Sequence, residues 1–300
     1  MNWFPSYRKF TNTLANMCSM TTPHGHEAFT WAHLPCPPKG RAPQSGDNYG
    51  AATTEIDADD NYIVTIPGKG VRTLWTSHCD TVGSRPEPTK LTFDGRYLRS
   101  DGKTILGADD KTGCTIMSMM IRAGCSGTYM FFAGEEVGCV GSKALARTVD
   151  LLDYDHCVSL DRRGYNNIIT HQLGSRCCSD AWADAVGEML GIHSEGTLDM
   201  SADPTGMYTD SVSFVDVIPE CTNLSVGYFN QHDNDEYQDV AFAYELCCTL
   251  IEVVRAGGLP EPIRDVTSFV KDDTEWMNVL YEKWMKANGR DIRSDWYENL

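Results

Sequence analysis

The chain has 300 residues, of which 41% are hydrophobic and 22% charged, and its 42 acidic residues against 25 Lys and Arg give a net charge of −17. This composition is typical of a globular protein large enough for one substantial core. A chain this acidic repels nucleic-acid phosphates and anionic lipid surfaces, and no segment approaches the ~20 apolar residues of a membrane-spanning helix. We therefore expect neither nucleic acid nor a membrane among its partners.

Short β-rich runs alternate with helical patterns along most of the chain. A helix is predicted at about residues 7–20 and a Pro/Gly-rich loop at 35–50. Strands are predicted at 62–66, 73–77, 128–133, 156–160 and 223–228, with a hairpin turn at Asp94-Gly95, and helices at 110–123, 142–149, 179–190 and 240–256. Most of these strands are apolar on both faces, which is typical of central strands covered by helices. The predicted fold is a single-domain α/β/α sandwich with a mostly parallel sheet.

The pattern changes after Gly258. Residues 259–300 contain two prolines and then a stretch rich in Trp, Lys and Glu. We interpret this segment as an amphipathic helical extension of a domain at residues 1–258, and it offers a surface for a homo-oligomer.

The cysteines and the first residues both indicate a reducing compartment. The chain begins without the basic and apolar regions of a secretory signal. Its twelve cysteines include two vicinal pairs, Cys177-Cys178 and Cys247-Cys248, and no Cys-x-x-Cys spacing. We interpret them as buried thiols and expect a cytoplasmic protein.

Histidines and carboxylates follow several predicted strands. Taken singly, each has an ordinary explanation as a surface residue, a helix cap or a solvated loop. Taken together they meet at one edge of the sheet, where so many carboxylates would repel each other unless cations lay among them. The residues are His78, Asp80, Asp109, Glu135, Glu136, Asp161 and His232.

This donor set predicts a metal centre. Mixed His and carboxylate ligands without Cys suit zinc, with cobalt or manganese as alternatives, and one shared Asp between two flanking sets would hold two ions. Two such ions can activate a water and polarise a carbonyl, which favours hydrolysis of an amide bond.

The order of these residues resembles that in the co-catalytic di-zinc exopeptidase superfamily, which contains the bacterial zinc aminopeptidases, peptidase T and acetylornithine deacetylase. The ordered motifs of that group are H-x-D-x-V, G-x-x-D-x-K-x-G, E-E-x-G, a later Asp and a C-terminal His. They match residues 78–82, residues 107–113 with the last Gly one place nearer, residues 135–138, Asp161 and His232. The opening at residues 22–27 is also similar. The resemblance runs from about residue 10 to residue 256.

The resemblance assigns the ligands. It implies that His78 and Asp161 bind one metal, that Glu136 and His232 bind the other, and that Asp109 bridges both.

The resemblance also makes Glu135 the general base, which takes a proton from the attacking water and passes it to the departing amine. Asp80 follows His78 by two positions on an extended segment, so its side chain points the same way and is expected to accept the ring N–H. In the family the peptide after the bridging Asp is often cis, and a cis Asp109–Asp110 bond is expected here.

The spacing between motifs distinguishes the branches of the superfamily. The 71 positions from Asp161 to His232 are too few for the lid domain of roughly a hundred residues in the deacetylase-like and peptidase-T-like members. The layout is most similar to lid-less, single-domain zinc aminopeptidases, and residues 209–214 resemble their S-D-H-x-x-F segment with Ser211 in place of the His. Lid residues hold a substrate carboxylate in the other branches, so an aminopeptidase acting on peptide or aminoacyl substrates is favoured.

Several alternatives remain open at the level of sequence. Arg162 and Arg163 directly follow Asp161, and either would suit an acidic group of a substrate or a local carboxylate partner. A dipeptidase, a carboxypeptidase or an N-acyl amino acid deacylase of the same superfamily is the main alternative function. An inactive metal-binding scaffold would be signalled by loss of Glu135 or of a ligand, and all of them are present. No substrate-binding residue is assigned.

Overall fold

The computed structural model of the protein describes residues 3–35, 52–68, 72–147, 151 and 153–266. The predicted Pro/Gly-rich loop and the predicted C-terminal helix lie almost entirely outside these residues. The division at residue 258, and an oligomer formed through the C-terminal segment, therefore stay predictions. No helix within the described ranges is both long enough and apolar enough to cross a membrane.

The secondary structure alternates between strands and helices, as the sequence predicts. The strands are β1 (Thr53–Ile56), β2 (Tyr62–Ile66), β3 (Thr73–His78), β4 (Leu91–Phe93), β5 (Tyr97–Ser100), β6 (Gly127–Phe132), β7 (His156–Arg162), β8 (Asn167–Ile169), β9 (His171–Gln172), β10 (Ser175–Arg176), β11 (Ser201–Asp203), β12 (Glu220–Ser225), β13 (Tyr228–Phe229) and β14 (Tyr237–Asp239). The helices are α1 (Tyr7–Met17), α2 (Ala28–Trp31), α3 (Ala108–Arg122), α4 (Val140–Leu145), α5 (Asp180–His193) and α6 (Val240–Ala256), with a 3-10 helix at Asp210–Phe214.

Eight strands form the central sheet in the order β1-β2-β6-β3-β7-β12-β8-β11. The four central strands β6, β3, β7 and β12 run parallel, and four of the seven pairings in the sheet are parallel. Every residue of β3 and of β6 is buried. Strands of this kind require cover on both faces, which explains their unbroken apolar character.

Helices cover the two faces of this sheet. Alternate side chains of β3 point to opposite faces. On one face, Ser77 donates a hydrogen bond to the backbone oxygen of Asp110 in α3, and α1 and α6 pack against α3. On the other face, Phe132, the partner of His78 in the register of β6, stacks on Phe214 of the 3-10 helix. The predicted three-layer α/β/α architecture is confirmed.

A second, four-stranded sheet in the order β13-β14-β5-β4 lies beside the central sheet. It contains the predicted hairpin around Asp94-Gly95. Asp239 ties this sheet to α6, because its carboxylate caps the helix at the N–H groups of Ala241 and Phe242 and also accepts two hydrogen bonds from Arg96.

The segment between Asp161 and His232 returns to the central sheet. It supplies β8, β11 and β12 to that sheet, and α5 packs on β8 and β11. No separate lid is formed by this fully described part of the chain, as the spacing of the motifs predicts.

The predicted strand at 223–228 is wrong in its bounds. The structure has two strands there, β12 and β13, separated at Gly227. Gly227 has φ +88°, and a Cβ at this position would lie 2.7 Å from Cδ1 of Phe242. The chain turns at this glycine to enter the small sheet, a change of direction that the apolar pattern does not record.

Candidate metal centre and active site

The carboxyl ends of β3, β6 and β7 carry most of the predicted site residues. In the register of the sheet Thr76 pairs with Ser159, so His78 and Asp161, each two residues further on, reach the same level on the same face. Glu135 and Glu136 follow the end of the neighbouring strand β6. Parallel strands end at one edge of a sheet, which brings these four side chains together.

Asp109 lies between the two histidines. Its peptide bond to Asp110 is cis, as the resemblance predicts. Oδ1 of Asp109 is 3.1 Å from Nε2 of His78, and Oδ2 is 3.1 Å from Nε2 of His232. The two oxygens of one carboxylate therefore face two different donor sets.

Each donor set is completed by a second carboxylate. Oε1 of Glu136 is 3.0 Å from Nε2 of His232. On the other side of Asp109, Oδ1 of Asp161 is 3.7 Å from Nε2 of His78. The structure thus brings the five predicted ligands into one cluster, with the pairs arranged about Asp109 in the order that the resemblance implies.

The cluster fits divalent cations. Ligand atoms of His78, Asp109 and Glu136 lie within 4.8 Å of one another, and those of His78, Asp110 and Asp161 form a second such group. Oε1 of Glu136 is buried, and its neighbour is Nε2 of His232 at 3.0 Å. Mixed imidazole and carboxylate donors at this spacing suit zinc-type ions.

The charges in the cluster are unbalanced without such ions. Hydrogen bonds to Asp109 and Glu136 raise the pKa of His232 to about 10. Burial, with the Asp109 carboxylate as a further cause, raises the pKa of Asp161 to about 6. Both shifts favour the protonated forms of these groups, so a bound cation would compete with protons here.

Asp80 links His78 to the Glu135–Glu136 turn. Its two carboxylate oxygens accept hydrogen bonds from the backbone N–H groups of Glu135 and Glu136, at 3.0 and 3.1 Å. Nδ1 of His78 is 3.0 Å from the backbone oxygen of Asp80 and 3.5 Å from its carboxylate. The nearer acceptor of the ring is thus the carbonyl, because the backbone amides already hold the carboxylate that we expected there.

Glu135 is separate from both donor sets and lines the cavity beside them. Burial raises the pKa of its carboxyl well above the usual range, although the positive charge of His78 opposes this. A carboxylate with a raised pKa is a better proton acceptor at neutral pH. Its position and its environment suit a general base.

Further residues that our sequence analysis did not assign hold the cluster in place. Glu236 accepts hydrogen bonds from the backbone N–H groups of Gly107, at 2.7 Å, and Asp109, at 3.1 Å. Thr209 donates to Oδ2 of Asp161 at 2.6 Å, and the Tyr228 hydroxyl lies 2.8 Å from the backbone oxygen of the same residue. Thr209 belongs to the segment 209–214 whose resemblance to a family motif was noted above. Glu236 lies in the acidic run that follows His232, and no sequence signal distinguished it from its neighbours.

The cluster opens into a cavity of about 460 Å³. Its floor consists of Asp109, Glu135, Glu136, Asp161 and His232, whereas the fully buried His78 does not line it. Its wall is formed largely by the end of β7 and by the loop before Thr209. The wall residues are Arg162, Arg163, Ile169, Thr205, Gly206, Met207, Tyr208, Asn223, Tyr228 and Gln231. The volume is that of a small-ligand site.

The sequence profile of peptidase family M28 matches residues 61–239, which is more than half of the chain. The chain belongs to peptidase family M28. The matched range contains all five ligand candidates and Glu135.

One relative of similar sequence is the uncharacterized protein YqjE of Bacillus subtilis strain 168. It is 37% identical over 120 residues, which are 36% of this chain and 32% of YqjE. The chain therefore matches about a third of the length of this relative.

Solved structures with the same fold include aminopeptidase PepT from Bacillus cereus ATCC 10987, with a TM-score of 0.64 and 18% identity over 83% of this chain and 99% of that one. A tripeptidase from Staphylococcus aureus Mu50 has a TM-score of 0.67 and 15% identity over 85% and 99%. Aminopeptidase APDkam598 from the archaeon Desulfurococcus kamchatkensis has a TM-score of 0.59 and 13% identity over 91% and 98%. These similarities confirm the fold.

Proposed function

We propose that this M28 peptidase is a two-metal aminopeptidase that removes N-terminal residues from short peptides. The observation that carries the proposal is the placement of Asp109, whose two carboxylate oxygens each lie 3.1 Å from a different histidine. Asp161, 3.7 Å from His78, and Glu136, 3.0 Å from His232, complete two donor sets around one shared carboxylate.

The chemistry follows from these positions. Divalent ions, of which zinc suits the ligands best and cobalt or manganese are alternatives, would supply Lewis acidity to the substrate carbonyl and to water. His78 and Asp161 would hold one ion, Glu136 and His232 the other, and Asp109 both. Asp80 would orient His78 and fix the backbone of the Glu135–Glu136 turn.

Glu135 would move the proton. Its carboxylate takes a proton from the attacking water as the water oxygen bonds to the scissile carbonyl carbon. It then delivers that proton to the leaving nitrogen as the carbon–nitrogen bond breaks. The products are a carboxylic acid and a free amine, so no other reactant is needed.

Three observations support action at an N-terminus. The described segment between Asp161 and His232 forms strands of the central sheet, so the fold lacks there the lid that holds a substrate carboxylate in other branches. The acidic floor of the cavity would attract the α-ammonium group of a peptide. The solved structures of the same fold from Bacillus cereus and Desulfurococcus kamchatkensis are described as aminopeptidases.

The test is an assay of the purified chain after chelation and after addition of Zn²⁺ or Co²⁺. The panel contains aminoacyl arylamides, dipeptides and N-acyl amino acids. We expect metal-dependent cleavage of the arylamides. Cleavage restricted to N-acyl amino acids would identify a deacylase instead, and the absence of cleavage in a metal-loaded protein would contradict the proposal.

A further inference from the structure

Two arginines stand on the wall of a cavity whose floor is acidic. Arg162 and Arg163 follow Asp161 at the end of β7, and both line the 460 Å³ cavity. Positive charge is sparse in this chain, which carries a net charge of −17. The presence of two adjacent arginines beside four carboxylates therefore requires an explanation.

Neutral groups hold Arg162. Its Nε donates to Oδ1 of Asn167 at 3.3 Å, and an Nη donates to Oγ1 of Thr205 at 3.1 Å. No carboxylate of the described residues lies within 4 Å of its guanidinium. Burial lowers the pKa of Arg162 more than the nearby Asp203 raises it, so the surroundings do not balance its charge.

Arg163 is anchored by its backbone and has an unpaired side chain. Its carbonyl accepts a hydrogen bond from Ser225 at 2.9 Å, and the next residue, Gly164, donates to the backbone oxygen of Tyr228. Among the residues that the structure describes, no acceptor binds its guanidinium, and the residue is exposed. The five N–H donors of this group are thus available to a ligand in the cavity that Arg163 lines.

We propose that Arg163, with Arg162 beside it, binds a carboxylate of the substrate. This inference rests on the proposed peptidase function and adds the substrate class. A planar guanidinium binds a carboxylate through two parallel hydrogen bonds, which gives both strength and orientation. With the α-ammonium group attracted to the floor, a substrate with a carboxylate on the opposite side is complementary to the cavity.

The carboxylate has two possible sources in a short peptide. One is the free C-terminus of a dipeptide or tripeptide, and the other is an Asp or Glu side chain. Both present the same planar anion to Arg163. Two pairs of substrates distinguish them, namely Ala-Leu against Ala-Leu-amide, and the glutamyl arylamide against the glutaminyl arylamide.

The experiment measures kcat/KM for both pairs with the metal-loaded protein and with Arg163→Gln. The matched control is Arg8→Gln, which removes the same charge from an exposed position on α1, away from the cavity. We expect the wild type to prefer the carboxylate member of one pair by about tenfold or more. Arg163→Gln should remove that preference, because it lowers kcat/KM for the carboxylate member far more than for the uncharged member, while Arg8→Gln should leave the preference as it is in the wild type.

The outcomes separate this inference from the function on which it rests. Equal rates within each pair in the wild type, or a preference that survives Arg163→Gln, would overturn the role of Arg163 while leaving the peptidase intact. If no substrate is cleaved, calorimetric titration of the same peptides still measures the contribution of Arg163. Binding that is about tenfold tighter for the carboxylate member and lost in Arg163→Gln supports the inference, and equal affinities overturn it.

Discussion

The floor and the wall of the cavity are built in different ways. Floor residues such as Asp109 and Asp161 are almost wholly buried and have several fixed partners. The exposed residues of the wall, such as Arg163 and Met207, which is 60% exposed, have few partners and lie in connecting segments. The difference indicates that the floor determines which reaction occurs, whereas the wall selects the molecule that undergoes it. Substitutions can test this division.

The largest effect is expected for Asp109→Ala. Both donor sets share this carboxylate, so its removal should release both ions and lower kcat/KM by about four orders of magnitude. Elemental analysis of the dialysed variant measures the metal content. A variant that still holds two ions per chain would show that Asp109 is not the bridge.

A different outcome is expected for Glu135, which lines the same cavity as Asp109. Glu135→Ala should keep its metals, because Glu135 belongs to neither donor set, yet lose about two to four orders of magnitude in kcat. Metal content and turnover are measured on the same sample. Activity close to that of the wild type would mean that another group accepts the proton.

The protonation of the floor predicts a dependence of metal affinity on pH. In the metal-free protein His232 has a pKa of about 10, raised by Asp109 and Glu136. It is thus protonated at neutral pH, and a metal must displace that proton. Affinity should rise with pH below this pKa, by about tenfold per pH unit for each proton displaced. Competition titrations against a chelator between pH 6 and pH 8 measure the slope, and a flat profile would contradict it.

A smaller effect is expected for Glu236→Gln. Glutamine has one acceptor oxygen where the carboxylate uses two, so either Gly107 or Asp109 loses its backbone partner. Metal affinity should fall by about 10- to 100-fold, as is usual for residues that orient a ligand. The matched control is Asp235→Asn, an exposed neighbour that bonds to Asn230. Equal losses in both variants would assign the effect to charge rather than to position.

The wall variant Arg163→Gln is the mildest of the series on the uncharged substrates. It should alter the ratio between charged and uncharged substrates without altering metal content. If it instead emptied the metal centre, the separation of floor from wall would be wrong.

Several of the predicted site residues could be found from the sequence because they lie at or just after the ends of strands. Apolar runs located β3, β6 and β7, and parallel strands necessarily end at one edge, so His78 and Asp161 had to meet there. The cis peptide after Asp109 came from the resemblance. Roles within the cluster, by contrast, stay predictions until the substitutions are made.

The rest of the site depends on contacts that no local pattern encodes. Glu236 acts on Gly107 and Asp109, which lie more than 120 residues earlier in the chain. The carbonyl of Asp80, rather than its carboxylate, is the nearer acceptor of His78 because two backbone amides compete for the carboxylate. Residues 220–229 divide into two strands at Gly227, whose φ of +88° and close contact with Phe242 are not recorded in the apolar pattern.

His232 differs from the other ligand candidates in its origin. It lies between β13 and β14 of the small sheet, whereas His78 and Asp161 belong to the central one. Metal ions bound by residues of both sheets would link the two sheets. Because a ligand that binds only the folded state raises its stability, the ions would stabilise this junction. Removal of the metals by a chelator would then destabilise the β13–β14 hairpin before the rest of the molecule. Amide hydrogen exchange that becomes faster in that hairpin alone would detect this local change.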